Sequence, residues 1–106
     1  MQYMINLIPQ QRVTVIRCSE DDTTLRRFVF QLMVGSSEYA LTDETVTYIQ
    51  SNGAEHECTI ENGMAVLDAY ADMTADPGAY RAKIKIEDSG GGILYSAAFV
   101  LEVEPA

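Results

Sequence analysis

The stretch Asp76-Pro77-Gly78-Ala79-Tyr80-Arg81-Ala82-Lys83-Ile84-Lys85-Ile86-Glu87 leaves this chain little choice of fold. From Tyr80 onward the residues alternate strictly. Tyr80, Ala82, Ile84 and Ile86 fall on one side, and Arg81, Lys83, Lys85 and Glu87 on the other. A period of two is what a β-strand needs when one face meets a core and the other meets water. A helix would scatter the three cations around its circumference. The stretch also begins on a specified turn: Pro77 fixes one φ, Gly78 permits a positive one, and Tyr80 takes the first inward position. A tyrosine so placed can return its hydroxyl to the backbone a few residues upstream, so Asp76, Gly78 and Tyr80 are expected to form a structural corner.

The rest of the chain repeats the strand pattern at short intervals. Gln11 to Cys18 is β-branched and alternates loosely, with either face open to burial. Ser19 to Thr24 is a polar turn. Leu25 to Val34 places Phe28, Phe30, Leu32 and Val34 on one side, and Gly35-Ser36-Ser37-Glu38 breaks it. Tyr39 to Glu44 is a short extended piece before Thr45 to Gln50, where Val46 and Tyr48 point inward. Asn52-Gly53 and Asn62-Gly63 supply the positive φ values of tight hairpins, so the strands at His56–Ile60 and Met64–Ala69 form a meander with their neighbours. Ala71 to Ala75 has room for a single helical turn. Asp88 to Gly92 is a hairpin tip, and a last strand runs from Ile93 to Glu104 with Tyr95, Ala97, Phe99, Leu101 and Val103 on one side. Seven to eight short strands and no helical periodicity predict an all-β fold, an antiparallel immunoglobulin-like β-sandwich over residues 10–106. Its core pairs Phe28, Phe30, Leu32, Val46 and Tyr48 with Tyr80, Ala82, Ile84, Ile86, Phe99, Leu101 and Val103. With no tryptophan in the chain, Tyr48 is expected at the centre.

Composition narrows the function. In 106 residues, 47% of them hydrophobic, one domain can bury a real core without a disulfide or metal. Sixteen acids against seven bases give a net charge of −9. Nucleic acid and anionic membrane surfaces need clustered cations, so neither is an expected partner. Cys18 and Cys58 are read as two separate thiols, which suits a reducing compartment. They make no zinc spacing with His56. Asp21-Asp22 lacks the ligand set of a calcium loop. His56, flanked by Glu55 and Glu57, has no nucleophile motif to serve and is expected to be solvated. Gly90-Gly91-Gly92 follows a strand but precedes another, so it is no phosphate cradle. No catalytic, cofactor or metal site is expected, and the reading is of a protein that is not an enzyme.

Residues 1–9 read as an apolar arm. They are too short to span a bilayer and lack the basic start and cleavage site of a signal peptide. Tyr3, Met4, Ile5, Leu7 and Ile8 are many large apolar side chains to leave in water, and Pro9 sets them apart from the first predicted strand. They are expected either to dock on a neighbouring copy by strand addition or to fold back as an extra edge strand.

Several stretches taken in order resemble the N-terminal domain of phage baseplate upper proteins. They are the acidic turn Glu20-Asp21-Asp22, Phe28-Val29-Phe30-Gln31-Leu32, Tyr39-Ala40-Leu41-Thr42 leading into Val46-Thr47-Tyr48-Ile49, Asn62-Gly63, Pro77-Gly78-Ala79-Tyr80, and Ser96 to Val103. The resemblance covers about Gln11 to Val103. It implies a non-enzymatic adaptor of a tailed-phage virion (baseplate, tail or neck), with other virion structural proteins as partners and a homo-oligomeric arrangement in the particle. The alternative is an immunoglobulin-like protein- or glycan-binding module of a bacterial surface or secreted protein.

Overall fold

Ten strands and one helical turn account for the architecture of the computed structural model, which describes residues 2–106. The strands are β1 (Gln2–Asn6), β2 (Val15–Ser19), β3 (Arg27–Val34), β4 (Ser37–Tyr39), β5 (Thr45–Gln50), β6 (Glu55–Glu61), β7 (Met64–Asp68), β8 (Gly78–Glu87), β9 (Ile93–Tyr95) and β10 (Phe99–Glu104). The turn α1 (Ala71–Thr74) lies between β7 and β8. Hydrogen bonds order the sheet β1-β3-β7-β6-β5-β8-β10-β2, with β4 beside β3 and β9 beside β8.

The sheet curls almost into closure because β6 belongs to two neighbourhoods. Its first half, Glu55 to Cys58, pairs with β5, and its second half, Thr59 to Glu61, pairs with β7. The halves of the sheet on either side of this strand turn their apolar faces together. The Phe30 ring from β3 lies 6.3 Å from Tyr48 of β5 and 5.7 Å from Phe99 of β10, while Phe28 stacks on Phe30 at 6.2 Å. The result is a curved mixed sheet, nearly closed like a barrel. Tyr48 is fully buried at its centre. Every other expected core residue is buried too, except Tyr80, which packs half-buried against the cluster. Each such large apolar side chain contributes about 1.5–3 kcal/mol of transfer free energy.

Three features depart from the expectation. The strands number ten among the described residues, and two of the pairings are parallel: β1 with β3 and β2 with β10. The described part of the expected arm is not free, since Gln2–Asn6 form β1 within this chain's own sheet. Ile5 pairs in register with Leu32 and is buried with Leu7. Apolar side chains at alternate positions 5 and 7 find a core at home, so the fold-back alternative describes them. The final strand is also broken. At Ser96 to Ala98 the ladder yields to side-chain bonding: the Ile84 N–H donates to Ser96 Oγ at 2.9 Å, and Ser96 Oγ donates to Ala97 O at 2.8 Å. The break reverses the facing, so Ser96 is buried and Tyr95 is exposed, against the single stripe read from the sequence. A smaller shift affects the second strand, which starts at Val15 and buries Ile16 and Cys18.

The hairpin between β6 and β7 shows why Asn-Gly is a strong signal. Asn62 and Gly63 have φ of 52° and 77°, the left-handed pair that matches the twist of the flanking strands.

Candidate functional site

One end of the barrel is stoppered by α1, and polar side chains hold the stopper. The Tyr48 hydroxyl donates to Gln50 Oε1 at 2.6 Å, and Gln50 Nε2 donates to Met73 O at 3.1 Å, all of it buried. Asn52 Nδ2 donates to Asp72 O at 3.0 Å. Thr74 Oγ1 donates to Asp22 O at 2.6 Å, while the Asp21 N–H donates to Thr74 O at 3.0 Å. Asp22 is itself fixed, because its carboxylate accepts from the Ser19 N–H and from Arg26 Nε, both at 2.9 Å. The Ser19 amide first, then Arg26, hold this carboxyl below the usual carboxylate range. At the exit from α1 the Tyr80 hydroxyl donates to Asp76 O at 2.7 Å, and Gly78 has a φ of 148°.

His56 belongs to this end. It lies in β6 on the same side as buried Cys58, largely covered where the sequence reading expected it solvated, and the Tyr70 ring stacks on it at 3.7 Å with an interplanar angle of 1°. His56 Nε2 lies 2.6 Å from Asp72 Oδ1. A histidine–carboxylate pair can serve a nucleophile, but among the described residues no Ser, Thr or Cys side chain is hydrogen-bonded to His56. The two thiols are buried, and burial raises Cys18 to about 11 and Cys58 to about 12, far from thiolate reactivity at neutral pH. Among the described residues no three His, Cys, Asp or Glu side chains gather to hold a metal, and no helix is long and apolar enough to cross a membrane. The plug ties elements together; its polar groups are spent on one another.

The opposite feature is the seam where β1 approaches the strands across from it. Two bonds cross it: Ala97 N–H to Asn6 O at 2.8 Å, and Thr14 Oγ1 to Met4 O at 3.3 Å. Beside them opens a cavity of about 540 Å³ lined by Met4, Asn6, Arg12, Thr14, Met33 and Phe99 among others. The five apolar residues expected at an interface are divided by this geometry. Ile5 and Leu7 are in the core, Tyr3 packs half-buried near Phe28 at 6.5 Å, and Met4 and Ile8 remain exposed. The sequence reading missed a second exposed apolar group, Ile93, Leu94 and Tyr95 of β9, because unbroken alternation through Ser96 placed Tyr95 inward. Among the described residues β9 pairs with β8 alone, which leaves its other edge without a strand partner.

These elements define an all-β domain whose mixed sheet closes almost into a barrel, with one end stoppered by a helical turn. Among solved structures, the chain is similar to the N-terminal domain of phage TP901-1 ORF48, with a TM-score of 0.68 and 14% sequence identity over 97% of this chain and 98% of that chain. The likeness to the N-terminal domain of a baseplate upper protein is therefore present in the fold. The chain is also similar to CopC from Methylosinus trichosporium OB3b, with a TM-score of 0.49 and 14% identity over 88% of this chain and 84% of that chain, too loose a likeness to argue from. No protein-family profile matches the chain, and no curated protein does.

Proposed function

We propose that this chain is a non-enzymatic structural protein of a tailed-phage virion, an immunoglobulin-like adaptor joining neighbouring components of the baseplate, tail or neck. The observation that carries this reading is the fold likeness to the N-terminal domain of phage TP901-1 ORF48, which takes in nearly the whole of both chains. Two features support the immunoglobulin-like part: apolar sheet faces packed together, and a tyrosine at the start of β8 bonded back to the preceding turn. The adaptor's contacts with other virion proteins use Met4 and Ile8, the exposed members of the apolar N-terminal segment.

The test is to purify phage particles from a host expressing the protein and to quantify it against the major tail protein by mass spectrometry. A fixed stoichiometry that survives density-gradient banding, with antibody label at one place on the tail, is the expected result. Absence from banded particles overturns the reading. Recovery on the host cell surface supports the alternative, a protein- or glycan-binding module of a bacterial surface or secreted protein.

A further inference from the structure

The outward face of three central strands carries a charge pattern that is its own complement. In β6, β5 and β8 the even-numbered residues at the centre turn inward, so the odd-numbered ones share the solvent face. Pairing registers then align two rows across the strands. Glu55 pairs with Ile49, which pairs with Lys83; one step along, Glu57 pairs with Thr47, which pairs with Lys85. Each row therefore reads acid, neutral, base, with the neutral residue in the middle. Strands lie about 4.8 Å apart, so the acidic and basic stripes run side by side about 10 Å apart. Glu55, Glu57 and Lys83 are exposed and form no ion pair among the described residues. Lys83 Nζ stands 4.5 Å from the Tyr95 ring centroid, and Lys85 Nζ is ion-paired with Glu87 Oε1 of its own strand at 3.2 Å, so among the described residues the Glu55–Ile49–Lys83 row is the one whose charges are unpaired at both ends.

We propose that this face binds a second copy of the same chain across a two-fold axis lying above β5 and parallel to it. A half-turn about that axis exchanges the flanks and keeps each row at its height. Lys83 of one copy comes over Glu55 of the other, Lys85 over Glu57, and Ile49 meets its counterpart at the centre. The same contacts occur twice, as an isologous interface requires. Packed sheets cross at about 30°, a rotation that two adjacent rows tolerate with a small lateral shift. The pairing also answers a difficulty of charge. Two copies at −9 each repel as wholes, so association needs local complementarity of this kind. A contact three strands wide sits at the small end of specific interfaces and gives a reversible, concentration-dependent dimer. This inference does not depend on where the protein works.

Charge reversal tests it, because each half of the pattern can be inverted separately. At about 0.15 M salt the screening length of about 8 Å mutes the net repulsion while sparing contact pairs. Sedimentation of the intact chain over a concentration series should show dimer formation. Lys83→Glu alone and Glu55→Lys alone should each weaken it by about tenfold or more, since the Glu55–Lys83 row then faces its own sign at both of its symmetry-related contacts. Mixing the two variants should give a heterodimer at least as tight as the wild-type dimer, because one then presents two acids where the other presents two bases. Urea midpoints check that each variant is folded, and Glu57→Lys with Lys85→Glu repeats the experiment if one is not. A wild-type chain that stays monomeric to about 1 mM, single reversals without effect, or a mixture that associates no better than its parts would each overturn the proposal.

Discussion

The stoppered end and the seam close the same barrel by different means. At the stopper, buried Gln50 and exposed Asn52 donate to backbone carbonyls of α1, Thr74 of α1 donates to the Asp22 carbonyl, and each bond crosses between elements distant in sequence. At the seam, one backbone bond and one hydroxyl bond span a gap with a cavity beside it. A buried polar group left without a partner costs about 1–3 kcal/mol, whereas an exposed one turns to water. The stopper is therefore rigid because breaking it strands groups in the core, and the seam is soft because breaking it does not. Among the described residues every fully buried side-chain nitrogen or oxygen has a partner, which makes the buried stopper residues Gln50 and Thr74 costly to remove.

The largest effect should come from Gln50→Ala, which leaves the Tyr48 hydroxyl and Met73 O without each other's intermediary. A loss of about 2–3 kcal/mol in urea unfolding is expected; a loss near zero would show that water or repacking replaces the amide. Tyr80→Phe removes a bond from a half-buried hydroxyl to Asp76 O, so about 1 kcal/mol is the expected cost. An unchanged midpoint would remove Tyr80 from the list of groups that anchor this end.

Asp22 gives the comparison a pH axis. Its folded carboxyl is held below the ordinary range, so the unfolded chain takes up the proton first as pH falls. Its contribution is therefore complete above the ordinary aspartate value of about 4 and disappears as pH drops through the lower folded value. Asp22→Asn should flatten the dependence of stability on pH in that acid window, and an unaltered slope would assign the acid sensitivity to other carboxylates. Thr14→Val at the seam should cost least, about 0.5 kcal/mol or less. A loss as large as that of Gln50→Ala would erase the distinction between the two regions.

Alternation made most strands legible, because burial on one face writes itself into every second residue. β8 and the Asn62-Gly63 hairpin were read to the residue or nearly so. What escaped was pairing between distant segments. Nothing local in Tyr3 to Leu7 says that β3 leaves its edge open beside Val29 to Met33, yet that vacancy turns an apolar arm into β1. The break at Ser96 was invisible for a related reason: a serine that replaces a ladder bond does so only against Ile84, its neighbour on another strand. His56 was read as solvated because its aromatic cover, Tyr70, comes from the far side of β7. The exposed apolar strip of β9 followed from the same hidden break.

The parallel pairing of β2 with β10 joins strands from nearly opposite ends of the chain. A ribosome releases β2 well before β10, so β2 must wait while the strands between them are made, with its partner edge unmade. Pairings between remote segments form late and slowly, since the intervening chain must first be ordered. During that interval Ile16 and Cys18 lack their final cover, and a nascent chain in that condition is open to wrong partners. The polar turn Glu20-Asp21-Asp22 directly after β2 places three carboxylates beside the waiting strand. Like charge there opposes the close approach of a second chain at the same stage, before the native structure exists.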